Sequence, residues 1–101
     1  MEPHPVFAAL ADPTRFQVLT RLAQTGPATA TELSSDLPVS RQAVVKHLAA
    51  LDAAGLVAKA RAGREVRYTF QPGPLGDLVQ WVEQVGVVWD RRLDQLRRKF
   101  E

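Results

Sequence analysis

The segment Val39–Leu56, VSRQAVVKHLAALDAAGL, constrains the fold most, because it carries a complete helix with a start, an apolar face and an end. Ser40 is suited to cap the first turn, since its hydroxyl can accept hydrogen bonds from free backbone amides. Gly55 readily takes the left-handed conformation that closes a helix. Three apolar residues recur between them at the spacing of one helix face: Val44, Leu48 and Leu51. We therefore predict a helix over about residues 40–54.

The opposite face of this predicted helix carries side chains that suit DNA recognition: Arg41, Gln42, Val45 and Lys46. Long hydrogen-bond donors on a rigid, exposed helix are what the reading of base edges in a major groove requires. A valine on the same face can meet a thymine methyl group. An ordinary solvated helix also has a polar face, so this stretch alone leaves both interpretations open.

A shorter helix is predicted immediately upstream, near Ala30–Leu37. Thr29 and Glu32 have the spacing of a capping box at its start, and Pro38 ends it. A short helix, a tight turn and a longer helix make a helix-turn-helix. In this arrangement three hydroxyl residues are placed to contact phosphate through side chain or backbone: Thr29, Thr31 and Ser40.

Two further helices are predicted before this motif. Asp12 is a suitable cap and Pro13 fits the first helical position, so a helix is expected from there to about Gln24. Gly26-Pro27 stops it. The apolar residues just upstream predict a short turn or helix: Val6, Phe7 and Leu10.

After Gly55 the apolar period changes from helical to alternating, which predicts a two-stranded β-hairpin over about residues 57–70. Gly63-Arg64 suits a tight turn with glycine at its first central position. A basic hairpin that follows a recognition helix is a wing, and three arginines are expected to reach a minor groove or phosphate: Arg61, Arg64 and Arg67. A solvated hairpin whose charges serve solubility is the alternative.

A long helix is predicted from about Leu75 to Phe100. Apolar residues repeat along it at spacings of three and four, among them Leu78, Val82, Val85, Trp89, Leu93 and Leu96. Further apolar residues widen this seam beyond what one small domain can cover, so we expect a dimer interface. A core helix of its own domain is the alternative. Gly86 lies in the middle of this helix, where glycine lowers helix stability by roughly 1 kcal/mol relative to alanine. Close approach of another helix at this position would offset that cost.

Charge is distributed unevenly along the chain. The net charge is only +2, but residues 41–67 contain six cations and two carboxylates, which leaves that segment at +4 and the remainder at −2. Positive charge therefore concentrates on the predicted DNA-binding part.

Composition excludes several other classes of protein. A length of 101 residues predicts one domain, residues 1–101, and the absence of cysteine excludes thiolate metal sites and thiol nucleophiles. No glycine-rich phosphate loop is present, so an enzyme is not expected. Neither a signal peptide nor a membrane span is recognisable, so we expect a cytoplasmic protein without a membrane partner.

Three stretches together resemble the ArsR/SmtB-type regulators: FAALADPTRFQVLTRL at 7–22, VSRQAVVKHLAALDAAGLV at 39–57 and GREVRYTF at 63–70. The resemblance implies a mainly α fold with a small β-hairpin, a winged helix-turn-helix of about five helices with a two-stranded wing. It also implies homodimers, formed through the terminal helices, that bind an inverted repeat in double-stranded DNA and usually repress a neighbouring gene.

The chain departs from the metal-sensing members of that family. Their sensing cysteines lie on the first helix of the helix-turn-helix, where this chain has Thr31–Leu37, and the alternative site needs histidines that the terminal helix lacks. We therefore expect no metal and no cofactor, as in a metal-independent branch. The family motif has a histidine at His47, which implies a structural or phosphate-contacting role there.

A homodimeric, sequence-specific repressor is thus the leading functional prediction. The alternative is a winged-helix protein-interaction module without specific DNA binding, because fold does not fix function. An unidentified apolar small-molecule inducer is a further candidate partner, with a site between the long helices near Trp81, Val85 and Trp89. Tryptophans in such a place more often serve interface packing.

Overall fold

The computed structural model describes residues 5–100, apart from the side chains of Trp89, Leu96, Lys99 and Phe100. Five helices and three strands follow in this order: α1 (Pro5–Leu10), α2 (Pro13–Thr25), β1 (Ala28–Thr29), α3 (Ala30–Asp36), α4 (Arg41–Ala53), β2 (Val57–Ala62), β3 (Glu65–Phe70) and α5 (Gly73–Phe100). The predicted fold class, mainly α with a winged helix-turn-helix, is confirmed.

Three helices begin at the residues that the sequence predicts. In each, a side-chain oxygen accepts a hydrogen bond from the backbone amide three residues later, which satisfies a donor that the first turn leaves free. The capping residues and donor–acceptor distances are Asp12 at 2.9 Å, Thr29 at 3.1 Å and Ser40 at 3.2 Å. These local bonds fix where α2, α3 and α4 start.

One apolar core joins the first four helices to the beginning of β2. The predicted buried face of α4 is confirmed, since its three apolar residues are all fully buried: Val44, Leu48 and Leu51. Leu22 of α2, Leu33 of α3 and Leu56 pack into the same cluster. Burying each such side chain contributes roughly 1.5–3 kcal/mol. This core holds α3 and α4 in a fixed mutual position.

The sheet has three strands in the order β1-β3-β2, all antiparallel. The predicted hairpin is present as β2 and β3, and Gly63 has the positive φ of 64° that its turn requires. The third strand, β1, was not predicted, because two residues are too short to show an alternating pattern. It pairs Thr29 with Arg67 and so attaches the start of α3 to the wing.

Helix α5 extends away from the rest of the chain. It begins at Gly73, two residues before the predicted start, because a proline at position 74 fits a first helical turn. Leu78 packs against the core of its own chain. Farther along, large apolar side chains are exposed: Val79, Trp81, Val82, Val87, Val88 and Leu93. The molecule measures 66 Å along its longest axis and 25 by 24 Å across.

Every helix in the part of the chain that the structure describes is too short or too polar to cross a membrane.

Candidate nucleic-acid interface

The outer face of α4 carries the four predicted reading residues in exposed positions: Arg41, Gln42, Val45 and Lys46. Their exposure follows from helical geometry, since Val44, Leu48 and Leu51 turn the opposite face into the core. Val45, an apolar residue, is 38% exposed. The helix therefore presents cationic, amide and apolar groups side by side on one rigid surface.

Arg41 is the only one of these four residues for which a side-chain hydrogen bond is seen among the described residues. Its Nε atom donates to the Thr31 hydroxyl oxygen at 3.1 Å, which connects the first turn of α4 to the first turn of α3. Both side chains are exposed. The Nη1 and Nη2 atoms of the guanidinium remain able to donate to another group.

A groove of about 580 Å³ lies between the start of α3, the start of α4 and the wing. It gathers five of the predicted DNA-binding residues: Thr29, Thr31, Arg41, Val45 and Arg64. Gln42 and Lys46 lie outside this set, on the exposed face of α4. The groove therefore joins the α4 surface to the tip of the wing.

The two other hydroxyl residues differ in what they leave for a ligand. The Thr29 hydroxyl accepts from the Glu32 amide and donates to the Glu32 carboxylate at 3.2 Å, so its proton is engaged. The Ser40 oxygen accepts from the amide of Ala43. This use as an acceptor leaves the Ser40 hydroxyl proton for a phosphate oxygen.

The three predicted wing arginines occupy three different environments. The strand register pairs Arg61 with Val66, and Ala60 with Arg67. Because successive side chains alternate between the faces of a strand, Arg61 and Arg67 lie on opposite faces of the hairpin. Arg64 lies at the turn and is exposed. Arg61 and Arg64 are thus both exposed, as side chains that reach toward DNA from the wing would have to be.

Arg67 is instead held by two carboxylates that sequence reasoning did not assign to the site. Its Nη2 atom donates to Glu65 at 3.1 Å, and its Nη1 atom lies 3.5 Å from Glu32. The Glu65–Arg67 spacing, which places both side chains on one face of a strand, was a usable signal. Both carboxylates line the groove, where they reduce its positive charge.

His47 lies apart from the reading face. It is half-buried on α4 and close enough to Asp12, the cap of α2, to affect that carboxyl electrostatically. The pKa of Asp12 is lowered chiefly by the hydrogen bond from the Arg15 amide, with a smaller contribution of the same sign from His47 and an opposing one from desolvation. His47 is not among the residues that line the groove.

Among residues 5–100, as far as the structure describes them, no three His, Asp or Glu side chains gather closely enough to hold a metal ion.

The residues predicted for the dimer interface fall into three groups. Val82 and Leu93 are 53% and 46% exposed, and Val85 is half-buried. Leu78 packs on its own core, because the first turns of α5 lie against the domain. The side chains of Trp89 and Leu96 lie outside the described residues. Nearby, the Trp81 ring meets Phe7 of α1 edge-on, with ring centroids 5.3 Å apart.

Comparison with known proteins agrees with this geometry. The family model described as a helix-turn-helix domain matches residues 10–60. The HTH-type transcriptional regulator Rv2034 of Mycobacterium tuberculosis is 45% identical over 76 residues, which are 75% of this chain and 70% of that protein. The transcriptional repressor SdpR of Bacillus subtilis is 30% identical over 77 residues, 76% of this chain and 84% of that protein.

A solved structure extends the likeness to nearly the whole chain. It is an ArsR-like transcriptional regulator from Rhodococcus sp. RHA1, 45% identical, with a TM-score of 0.80. The match covers 93% of this chain and 88% of that one. The chain belongs to the ArsR-like family of helix-turn-helix transcriptional regulators, which are DNA-binding proteins and not enzymes.

Proposed function

We propose that this protein is a homodimeric repressor that binds an inverted-repeat operator, with α4 in the major groove and the wing on the minor groove or phosphates. The observation that carries the proposal is the continuous surface from the exposed face of α4, through the groove, to Arg64 at the wing tip. A rigid helix face beside a cationic hairpin matches the shape and charge of duplex DNA.

Within this proposal the contacts divide into reading and anchoring. Arg41, Gln42, Val45 and Lys46 meet base edges, because they lie on the face of α4 opposite the core. Ser40, at the start of α4, is the hydroxyl that remains able to donate to phosphate, because the hydroxyls of Thr29 and Thr31 are engaged with Glu32 and Arg41. Arg61 and Arg64 anchor the wing. Arg67 is excluded from direct contact as long as Glu32 and Glu65 hold it.

The homodimer part of the proposal rests on α5. A single chain leaves Val79, Val82 and Leu93 about half exposed along a helix that projects from the core. A second copy of the same helix provides a self-complementary partner for this face. Pairing of two chains then sets two recognition helices about 34–36 Å apart, one turn of DNA.

Repression and its control are the finer parts of the proposal. SdpR is a transcriptional repressor by name, which supports the same role here. An apolar inducer has a candidate site near Trp81 and Val85, where the Phe7–Trp81 contact joins α1 to α5. A screen of apolar compounds by tryptophan fluorescence and DNA affinity tests this site, and no change in either signal across a broad set refutes it.

The experiment for the main proposal is a fluorescence-anisotropy titration at several salt concentrations. The probes are duplexes from the region upstream of the protein's own gene and a scrambled duplex of equal composition. We expect roughly a thousandfold or greater preference for the upstream DNA, with a steep salt dependence. Equal, weak binding to both duplexes would overturn the proposal and leave a protein-interaction module as the better account.

A further inference from the structure

The hydrogen bond from Arg41 to Thr31 joins two elements at the edge of the groove. The Arg41 side chain starts at the first residue of α4, and its Nε atom lies 3.1 Å from the Thr31 hydroxyl oxygen on α3. Both residues line the groove together with Arg64. The bond therefore determines where the guanidinium of Arg41 lies relative to any ligand in the groove.

The backbone of Thr31 is held in place by its neighbours on α3, so its hydroxyl is a well-positioned acceptor for Arg41. It lies in the first turn of α3, next to the capping pair of Thr29 and Glu32. The hydroxyls of Ser34 and Ser35 donate to its backbone carbonyl at 2.9 and 3.0 Å. The backbone at Thr31 is thus held by several local bonds that do not involve its own side chain.

The bond leaves the reading edge of the arginine free. A guanidinium has five N–H donors, and recognition of guanine or phosphate uses the paired donors in its planar fork. Nε is engaged with Thr31, which leaves the four donors of Nη1 and Nη2. Thr31 consequently orients the fork without occupying it.

We propose that Thr31 is a positioning residue that acts on DNA through Arg41, rather than a phosphate contact in its own right. This inference rests on the proposed DNA-reading role of α4. A free arginine loses side-chain entropy when it is immobilised in a complex, and the bond to Thr31 removes part of that loss before DNA arrives. Thr31 thereby raises affinity and sharpens the preference for the base pair that Arg41 meets.

The test uses the full chain and a duplex selected by the wild-type protein from a randomised 30-base-pair pool. The variants are Thr31→Val, which keeps the shape and removes the hydroxyl, Thr31→Ser, which keeps the hydroxyl, Arg41→Ala and the double variant Thr31→Val/Arg41→Ala. Thr20→Val is the matched control, because it makes the same change at a hydroxyl of α2 that donates to the Phe16 backbone carbonyl and does not line the groove. Circular dichroism checks that each variant is folded.

We expect Thr31→Val to weaken binding roughly 2- to 10-fold, the cost of ordering one long side chain. Thr31→Ser and Thr20→Val retain wild-type affinity. In the Arg41→Ala background, Thr31→Val causes no further loss. On a panel of single-base substitutions, Thr31→Val and Arg41→Ala relax the preference at the same base pair, an effect that a merely structural residue does not produce.

Two results would overturn the inference. The first is that Thr31→Val weakens binding equally with and without Arg41, which identifies Thr31 as a direct contact. Alternatively, Arg41→Ala weakens binding while Thr31→Val has no effect, which shows that the bond is irrelevant in the complex. Failure of the proposed function is distinguishable from both, because the wild-type protein then selects no sequence from the pool.

Discussion

The Nη1 atom of Arg67 lies 3.5 Å from the Oε1 atom of Glu32, so that a cation of the wing meets a carboxylate at the start of α3. Glu65 accepts from the same guanidinium on its other side, through Nη2. The three side chains together carry one net negative charge, and the two carboxylates line the groove. An arginine that the sequence suggests as an anchor for phosphate is therefore neutralised by the protein itself.

Replacing Glu32 by glutamine should increase DNA affinity. The change removes a negative charge from the groove and one of the two carboxylates that hold Arg67, while Glu65 stays in place and glutamine preserves the capping box. We expect tighter binding to any duplex. We also expect the slope of log K against the logarithm of the salt concentration to be steeper by up to about 0.9, the value for one more phosphate contact. Anisotropy titrations between low and physiological salt measure both. Glu83→Gln, the same change on α5, should have little effect, and weaker binding by Glu32→Gln would contradict the prediction.

Substitutions of Arg64 and Gln42 should affect DNA binding in different ways, because we propose that Arg64 contacts phosphate and Gln42 contacts base edges. Loss of the exposed arginine at the wing tip, as Arg64→Ala, removes the phosphate contact that we propose for it. This should weaken binding to all sequences alike and make the dependence of affinity on salt concentration shallower. Loss of the amide on α4, as Gln42→Ala, should change the preferred bases by about 1–3 kcal/mol at one position. Titration of both variants against a panel of single-base substitutions distinguishes these outcomes. Uniform weakening by both would refute the division.

Gly86 tests the pairing of α5 helices. A Cβ at this position meets no atom within 4 Å beyond its chain neighbours and the adjacent turns of its own helix backbone. In an isolated helix, Gly86→Ala stabilises by about 1 kcal/mol. Between two closely packed helices the added methyl group separates the backbones, so we expect a higher dimer dissociation constant by sedimentation equilibrium. Gly76→Ala, also without a neighbour within 4 Å, is the control near the helix start. Tighter dimers for Gly86→Ala would exclude close approach there.

Asp12 should make the stability of the fold sensitive to acid. Its pKa is lowered below the ordinary 3.8, chiefly by the Arg15 amide that it accepts from. A carboxyl with a lower pKa in the folded state contributes stability that is present above the unfolded value and is lost as pH falls through the folded value. Asp12→Asn keeps an acceptor for the cap but cannot titrate.

Urea unfolding at several pH values measures this contribution. Wild type should be more stable than Asp12→Asn at pH 7, and the difference should shrink below about pH 3.8, the reference value of the carboxyl. Asp12→Ala, which also loses the cap, should be the least stable of the three near neutral pH. A difference between wild type and Asp12→Asn that is constant with pH would show that the charge contributes nothing.

Local chemistry made most of the helix-turn-helix predictable. Asp12, Thr29 and Ser40 each act on an amide three residues away, so the caps are visible in the sequence alone. The buried face of α4 follows from helical spacing in the same way. The position of Gly63 predicted the hairpin turn, because few residues adopt a positive φ.

The rest depends on contacts between distant segments. Arg67 and Glu32 are 35 positions apart, and no periodic pattern indicates that they meet. The pairing of β1 with β3 was equally hidden, since a two-residue strand has no recognisable signature. The sequence therefore predicted the elements and the cationic character of the wing, but not which of its arginines are free.

The central place of β3 in the sheet has a mechanical consequence. The strand is hydrogen-bonded to β2 on one edge and to β1 on the other, and β1 runs directly into α3. We expect a displacement of the wing tip to be transmitted through these pairs to the first turn of α3, one short helix away from the residues of α4. If both elements bind the duplex as proposed, distortion of the DNA at the wing then alters the contacts that the helix-turn-helix can make.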